Sequence, residues 1–301
     1  MGVADISIGH LQPLATNALV FVRQVTLLCS LTDKFRGSTQ MLLLLAALVC
    51  VAAMPVVDQE QEQGLLGNST LHLDIQGTFV RYFTMGSESH DMAVFGIPGK
   101  STTPAEFAAS AWSAAKVGRC QDTVKVYVID FGASQYNYLG VPVVGNLQMN
   151  VIMDAFIDKF GAGKKVRVVG YSKGGQAVQR YSLVSNAPQK FILGCGSSWT
   201  FLNSTIDWIY GISNFPDGLQ MDDILSKVVA NQYLIICGDA DFGSDDNSTL
   251  AMESGASRIE RASTLYRHFN TIGANVQMIV VPGAAHNHSD VIPTSGNFLC
   301  N

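Results

Sequence analysis

Charge is scarce in this sequence. Only 14% of its 301 residues are charged, and the 19 basic residues are outnumbered by 24 acidic ones. A net charge of −5 does not suggest the basic face that grips a phosphate backbone, so no nucleic-acid partner is expected. A run long enough to span a membrane is missing too. The apolar stretch at 41–54 (MLLLLAALVCVAAM) has 14 residues, short of the ~20 that cross a bilayer as a helix. Internal repeats and long linkers are absent, which leaves a single domain. Apolar residues are plentiful, at 48%. That is enough for one large core and excludes wholesale disorder.

The 41–54 run reads as the h-region of a cleaved signal peptide. Lys34 and Arg36 precede it, and Val51 and Ala53 supply small residues for cleavage after Ala53. Residues 1–40 precede this signal, and Met41 is an alternative start. The expected organisation is an extension plus signal at 1–53, a polar lead at 54–70 and one domain at 71–301. Cleavage would change the net charge to −6 and leave Cys120, Cys195, Cys237 and Cys300. Four cysteines in an exported chain suggest two disulfides, with all three connectivities open; buried free thiols are the alternative reading. Sequons stand at Asn68, Asn203, Asn247 and Asn287. A secreted, extracellular protein is expected.

The rest alternates strand-like and helix-like segments. LHLDIQGTFVRYFTM reads as a hairpin. DMAVFGIPG is a short apolar run ending in Gly and Pro; VKVYVIDFG, KKVRVVGYS, KFILGCGSS and QYLIICGDA read as buried strands, and QMIVVPGAAH as the last strand. Helical patterns fall at 101–116, 146–160 and 257–272. Such alternation implies a mostly parallel sheet covered on both faces, with ligands at the carboxyl ends of its strands. Gly96, Asp130, Ser172, Asp241 and His286 each follow a strand.

Gly170-Tyr171-Ser172-Lys173-Gly174 is a G-x-S-x-G sequence between a strand and a helix. A nucleophile elbow needs that context: a sharp turn holding the serine in a strained backbone conformation. A serine hydroxyl attacks only when a base takes its proton. His286, just after the last strand, is the favoured base, and His288 is its rival. Asp241, beyond the end of the preceding strand, is the favoured acid, and Asp239 is the alternative. Asp245 and Asp246 read as a solvated acidic loop. For the oxyanion hole, the Lys173 amide and the amide of Ile97 are the candidates, since Pro98 has no N–H.

GYSKGG, the Asp after ICG and the VPGAAH segment together resemble the α/β-hydrolase superfamily, and DFGAS at 130–134 resembles a turn found there. The serine motif is similar to that of cutinases and small secreted lipases. The resemblance implies about eight strands, mostly parallel, with helices on both faces. It puts Ser172, Asp241 and His286 in triad roles and implies a small cap at 199–228. Tyr171 and Trp199 are the substrate-binding candidates. No cofactor and no metal are expected. The expected partner is a small-molecule, lipid or polymer ester, and the protein is expected to be a monomer.

Three other patterns fail on inspection. Gly99-Lys100-Ser101 lacks the first glycine of a P-loop, because position 94 is Val94. His286-x-His288-x-Asp290 lacks a later histidine to complete a metal set. The acidic loop from Asp239 lacks the glycine and glutamate of a calcium loop. A non-catalytic binding protein on the same fold remains the alternative to a hydrolase.

Overall fold

The computed structural model describes residues 71–131, 143–144, 147–185, 189–215 and 220–301. The expected signal segment, the polar lead, the Asn68 sequon and residues 132–134 of DFGAS lie outside the described residues.

β1 (Leu71–Ile75) and β2 (Thr78–Gly86) form the hairpin. Gln76 and Gly77 turn it with φ of 52° and 81°, a pair of positive values that matches the natural twist of paired strands. Six more strands of the main sheet follow, apart from a short ribbon of Val143–Val144 with Leu147–Gln148: β3 (Met92–Ile97), β4 (Val124–Ile129), β5 (Lys165–Tyr171), β6 (Lys190–Gly194), β7 (Gln232–Gly238) and β8 (Asn275–Val281). They make one eight-stranded sheet in the order β1-β2-β4-β3-β5-β6-β7-β8. β2 pairs antiparallel with β1 and β4; every other pairing is parallel. Every residue of β3 and β4 is buried, so both lack an apolar–polar alternation, and only Lys125 interrupts their run of apolar residues.

The helices are α1 (Pro104–Val117), α2 (Met149–Phe156), α3 (Lys173–Ser182), α4 (Met221–Ala230), α5 (Thr249–Ser254), α6 (Arg258–Thr271), α7 (His288–Val291) and α8 (Gly296–Cys300). The 101–116 pattern begins three residues late, because Thr103 caps α1 in a reciprocal box with Glu106 and Pro104 takes the first helical position. The 146–160 pattern is regular only to Phe156; a wider π turn carries it to Gly161.

The order of the strands locates the site. From β3 the chain goes to β4 on one side, and β5 lies on the other side of β3. Such a reversal leaves a crevice at the strands' carboxyl ends. The loop after β3 and the turn after β5 meet there.

Cys120, after α1, bonds to Cys300 at the end of α8, across 180 residues of sequence. Cys195 and Cys237 are free and buried. Among the described residues there is thus one disulfide where two were expected. Replacing Cys120 and Cys300 by serine together should lower unfolding free energy by about 2–5 kcal/mol. Urea unfolding under non-reducing conditions measures this; an unchanged midpoint would show that the bridge is idle.

Candidate active site

Three loops converge at the crevice. Ser172 joins β5 to α3 at φ 56°, ψ −121°, a sparsely populated region for a side-chain-bearing residue. The glycines around it are required by contact. A Cβ at Gly170 would collide with the Gly174 carbonyl, and one at Gly174 would collide with the Ile97 carbonyl. Strand, helix and the β3 loop can close on each other only because both side chains are missing.

The Ser172 Oγ lies 3.0 Å from His286 Nε2, and His286 Nδ1 lies 2.7 Å from Asp241 Oδ2. A carboxylate only accepts, so Nδ1 carries the proton and Nε2 is free to receive one from the hydroxyl. Asp241 is 2% exposed. Its second oxygen accepts from Arg258 Nη1 at 3.1 Å. Burial works against its charge, but the His286 hydrogen bond and the Arg258 cation outweigh it and hold the carboxyl below its usual range. Burial also opposes a charged imidazole at His286. Hydrogen bonds to Asp241 and Cys195, with the Asp241 charge, overcome it and lift His286 to about 9, while Arg258 pulls it down.

The rival residues are occupied elsewhere. His288 Nδ1 lies 2.8 Å from Ser110 Oγ, and its ring packs on Phe107 and Tyr171. Asp239 accepts from the Gly283 N–H at 2.7 Å. It thereby ties the turn after β7 to the loop that carries His286. Asp245 bonds Arg258 at 2.9 Å, and Asp246 accepts from the Tyr210 hydroxyl and the Ser248 amide. Asp246 is thus a structural tie, whereas Asp245, its side chain 71% exposed, stays in solvent as the sequence suggests.

Several sequence expectations need correction. Trp199 is completely buried beneath Gly196, beyond the reach of a substrate. Tyr171 is buried as well, with its hydroxyl 3.5 Å from His286 Nδ1 and its ring 5.0 Å from the imidazole. It packs behind the histidine and does not face the cleft. Ile97 is paired opposite Gly170 as the last residue of β3. Pro98 has no N–H to offer at that pairing, so the Ile97 amide serves the sheet and is not spare for an oxyanion. Gly99 comes closer: a Cβ there would lie 3.7 Å from Ser172 Oγ. In the expected cap, residues 216–219 lie outside the described residues. Phe201 packs on His268 and Trp208 on Phe215.

Sequence reasoning missed Arg258, which opens α6 without any motif around it. It also passed over a shared signature: β6 and β7 each run into Cys-Gly, at Cys195-Gly196 and Cys237-Gly238. Burial raises the Cys195 thiol, but bonds from Cys237, His286 and Tyr171 outweigh it and draw it down to about 6; Cys237 is pushed up, first by its bond to Cys195 and then by burial.

A cleft of about 450 Å³ opens at the loop after β3, and Gly99 in its lining packs against Ser172. Pro98, Gly99, Lys100 and Thr102 form one wall, and Arg81, Asp130 and Phe131 the other. Arg81 and Asp130 bridge at 2.8 Å.

No family model matches the chain, and no curated protein matches it. Solved structures do. Poly(aspartic acid) hydrolase-1 from Sphingomonas sp. KT-1 superposes with a TM-score of 0.61 at 14% identity, over 77% of this chain and 97% of that one. A poly(3-hydroxybutyrate) depolymerase from Bordetella parapertussis gives 0.59 at 15% identity, over 77% and 89%. The chain has the α/β-hydrolase fold. A third neighbour, carboxyl esterase 2 from Tuber melanosporum, gives 0.51 at 14% identity, over 77% and 86%. At these identities the likeness speaks for the α/β-hydrolase fold alone, and chemistry must be argued from the site.

The electrostatics make a signed prediction. Asp241→Asn removes the charge that favours the imidazolium, so the His286 pKa should fall. Arg258→Gln removes a cation that disfavours it, so the pKa should rise further. NMR titration of the His286 ring reads both; shifts of the same sign would refute the assignment of causes.

Proposed function

We propose that the protein is a serine hydrolase acting on carboxylic esters, with Ser172 as nucleophile, His286 as base and Asp241 as the acid that orients it. The observation that carries this reading is the continuous hydrogen-bonded line from Ser172 Oγ through His286 to Asp241, set on a positive-φ turn between strand and helix.

In this reading Ser172 Oγ attacks the ester carbonyl while His286 Nε2 takes its proton. Asp241 holds the imidazole tautomer and stabilises the cation that forms. The Lys173 amide, the first of α3, faces the developing oxyanion together with the Gly99 amide. His286 then returns the proton to the leaving alcohol. Water repeats the sequence on the acyl-Ser172 intermediate. The cleft is lined by Lys100, Arg81, Asp130 and the hydroxyls of residues 101–103. Pro98, Gly99, Pro104 and Phe131 complete it, and its modest volume of about 450 Å³ favours short acyl chains over long ones. We also propose export through cleavage after Ala53.

A panel of p-nitrophenyl esters of increasing chain length tests the reading, with acetate and butyrate expected to be turned over fastest. A fluorophosphonate should label Ser172 and lose its target in Ser172→Ala. Ser172→Ala and His286→Ala should each cut kcat by about 10³-fold or more, whereas His288→Ala should change it by less than about tenfold. Folded protein that neither takes the label nor turns over any ester would end the proposal.

The pH profile has a definite sign. The base must be neutral to act, and the fold raises the pKa of His286 above its ordinary 6.5. The ascending limb of kcat/KM should therefore lie above 6.5. A limb below that value would mean that the imidazole is not held by Asp241 in solution.

Export has its own check. Asn287 stands beside the histidine, and its side chain already accepts from the Ser289 amide at 3.1 Å. In a eukaryotic secretory host, mass spectrometry of the released protein should find a new N-terminus at Met54 and no glycan on Asn287. Retention of residues 1–53 in released protein would defeat the cleavage proposal.

A further inference from the structure

Two buried thiols beside the triad take no part in the chemistry just described. β6 and β7 run parallel with Gly194 opposite Ile236, so Cys195 and Cys237 follow as the next pair. The Cys195 amide donates to the Ile236 carbonyl at 3.0 Å, which keeps the two strands together past the end of the ladder. Cys195 Sγ, Cys237 Sγ and a carboxylate oxygen of Asp241 all lie within 4.8 Å of one another. Cys237 Sγ is 3.8 Å from Asp241 Oδ2. Both cysteines are fully buried, and Asp241 nearly so.

We propose that Cys195, Cys237 and Asp241 form a binding site for a thiophilic divalent cation such as Zn²⁺ or Cd²⁺, and that an ion there takes Asp241 away from His286. The geometry fits a tetrahedral ion. Zinc bonds to sulfur at about 2.3 Å and to carboxylate oxygen at about 2.0–2.2 Å, so the two donors of one ion stand roughly 3.5 Å apart. The Cys237–Asp241 pair is within a few tenths of an ångström of that spacing. Two thiolates select a soft or borderline cation over magnesium and calcium, which prefer oxygen. Water or the His286 imidazole completes the set.

The proton balance is explicit. A thiol that still holds its proton releases it as its metal–sulfur bond forms; two such bonds form, and no electron moves. The oxygen that receives the cation is the one that His286 Nδ1 now uses at 2.7 Å. The ion and the imidazolium therefore compete for one carboxylate. Entry follows the histidine. The His286 side chain is 30% exposed, while both sulfurs lie behind it with no solvent contact. An ion reaches them when that ring turns outward. The binding stands on geometry alone; its inhibitory effect rests on the hydrolase reading.

The experiment uses the whole purified protein after chelator treatment, with Cd²⁺ as the probe. A thiol assay under denaturing, non-reducing conditions should first find Cys195 and Cys237 free. Titration with Cd²⁺ should produce the ultraviolet charge-transfer band of cadmium–thiolate bonds, saturating at one ion per chain. Cys195→Ser and Cys237→Ser should each weaken binding by about tenfold or more. X-ray absorption of the wild-type complex should show two sulfur ligands, a readout that needs no variant to fold. Ser172→Ala should keep the band. Ester turnover should fall as Cd²⁺ binds and return on chelation. A Cys195–Cys237 disulfide in the purified protein, no charge-transfer band, or fewer than two sulfurs at the metal would each overturn the site. A band without any ester turnover would uphold the site and fail the hydrolase reading alone.

Discussion

The interaction on which this architecture turns is the one at Asp241. A carboxylate 2% exposed is a costly group to desolvate, and the cost is tolerable only because two cationic or cation-forming partners divide its oxygens. Arg258 takes one oxygen and His286 the other. Three separate stretches of chain must arrive together for this to hold: the turn after β7, the start of α6 and the loop after β8. Arg258 also reaches Ser197 Oγ after β6 and Asp245 on the β7 loop. The charge network is therefore a clamp on the carboxyl ends of neighbouring strands as well as the setting for an imidazole.

Much of the framework was legible in the sequence because both of its signals are strong. Buried parallel strands announce themselves as largely apolar runs, and each segment read as a strand is one in the sheet. The serine turn is equally plain, since the crowding at Gly170 and Gly174 leaves no other residue acceptable at those positions. Spacing from strand ends also singled out His286 and Asp241, which the structure brings to hydrogen-bonding distance. What failed to show was orientation. Trp199 and Tyr171 are aromatic residues near strand ends, and nothing local tells whether such a ring faces a cleft or fills the core. The Ile97 amide was misjudged for a related reason: its availability depends on whether β3 is still paired at that residue. Arg258 was invisible because its role is set by tertiary contact alone.

Asp239 shows how a rejected candidate can still matter. Sequence reading offered it as a second acid. Its carboxylate instead receives the Gly283 amide, while the Ala240 amide donates to the Ala284 carbonyl. These two bonds staple the histidine loop to the turn before Asp241. The distance between imidazole and carboxylate is thus fixed by backbone as well as by their own hydrogen bond, which is the kind of support a preorganised site requires.

The link between Cys120 and Cys300 has a meaning in time. A ribosome delivers the first of these sulfurs well before the second, with 180 positions between them. During that interval the segment after α1 waits without its covalent partner. The native bond can be made only after the strand that precedes His286 has emerged, so the link closes after every strand of the eight-stranded sheet has been synthesised.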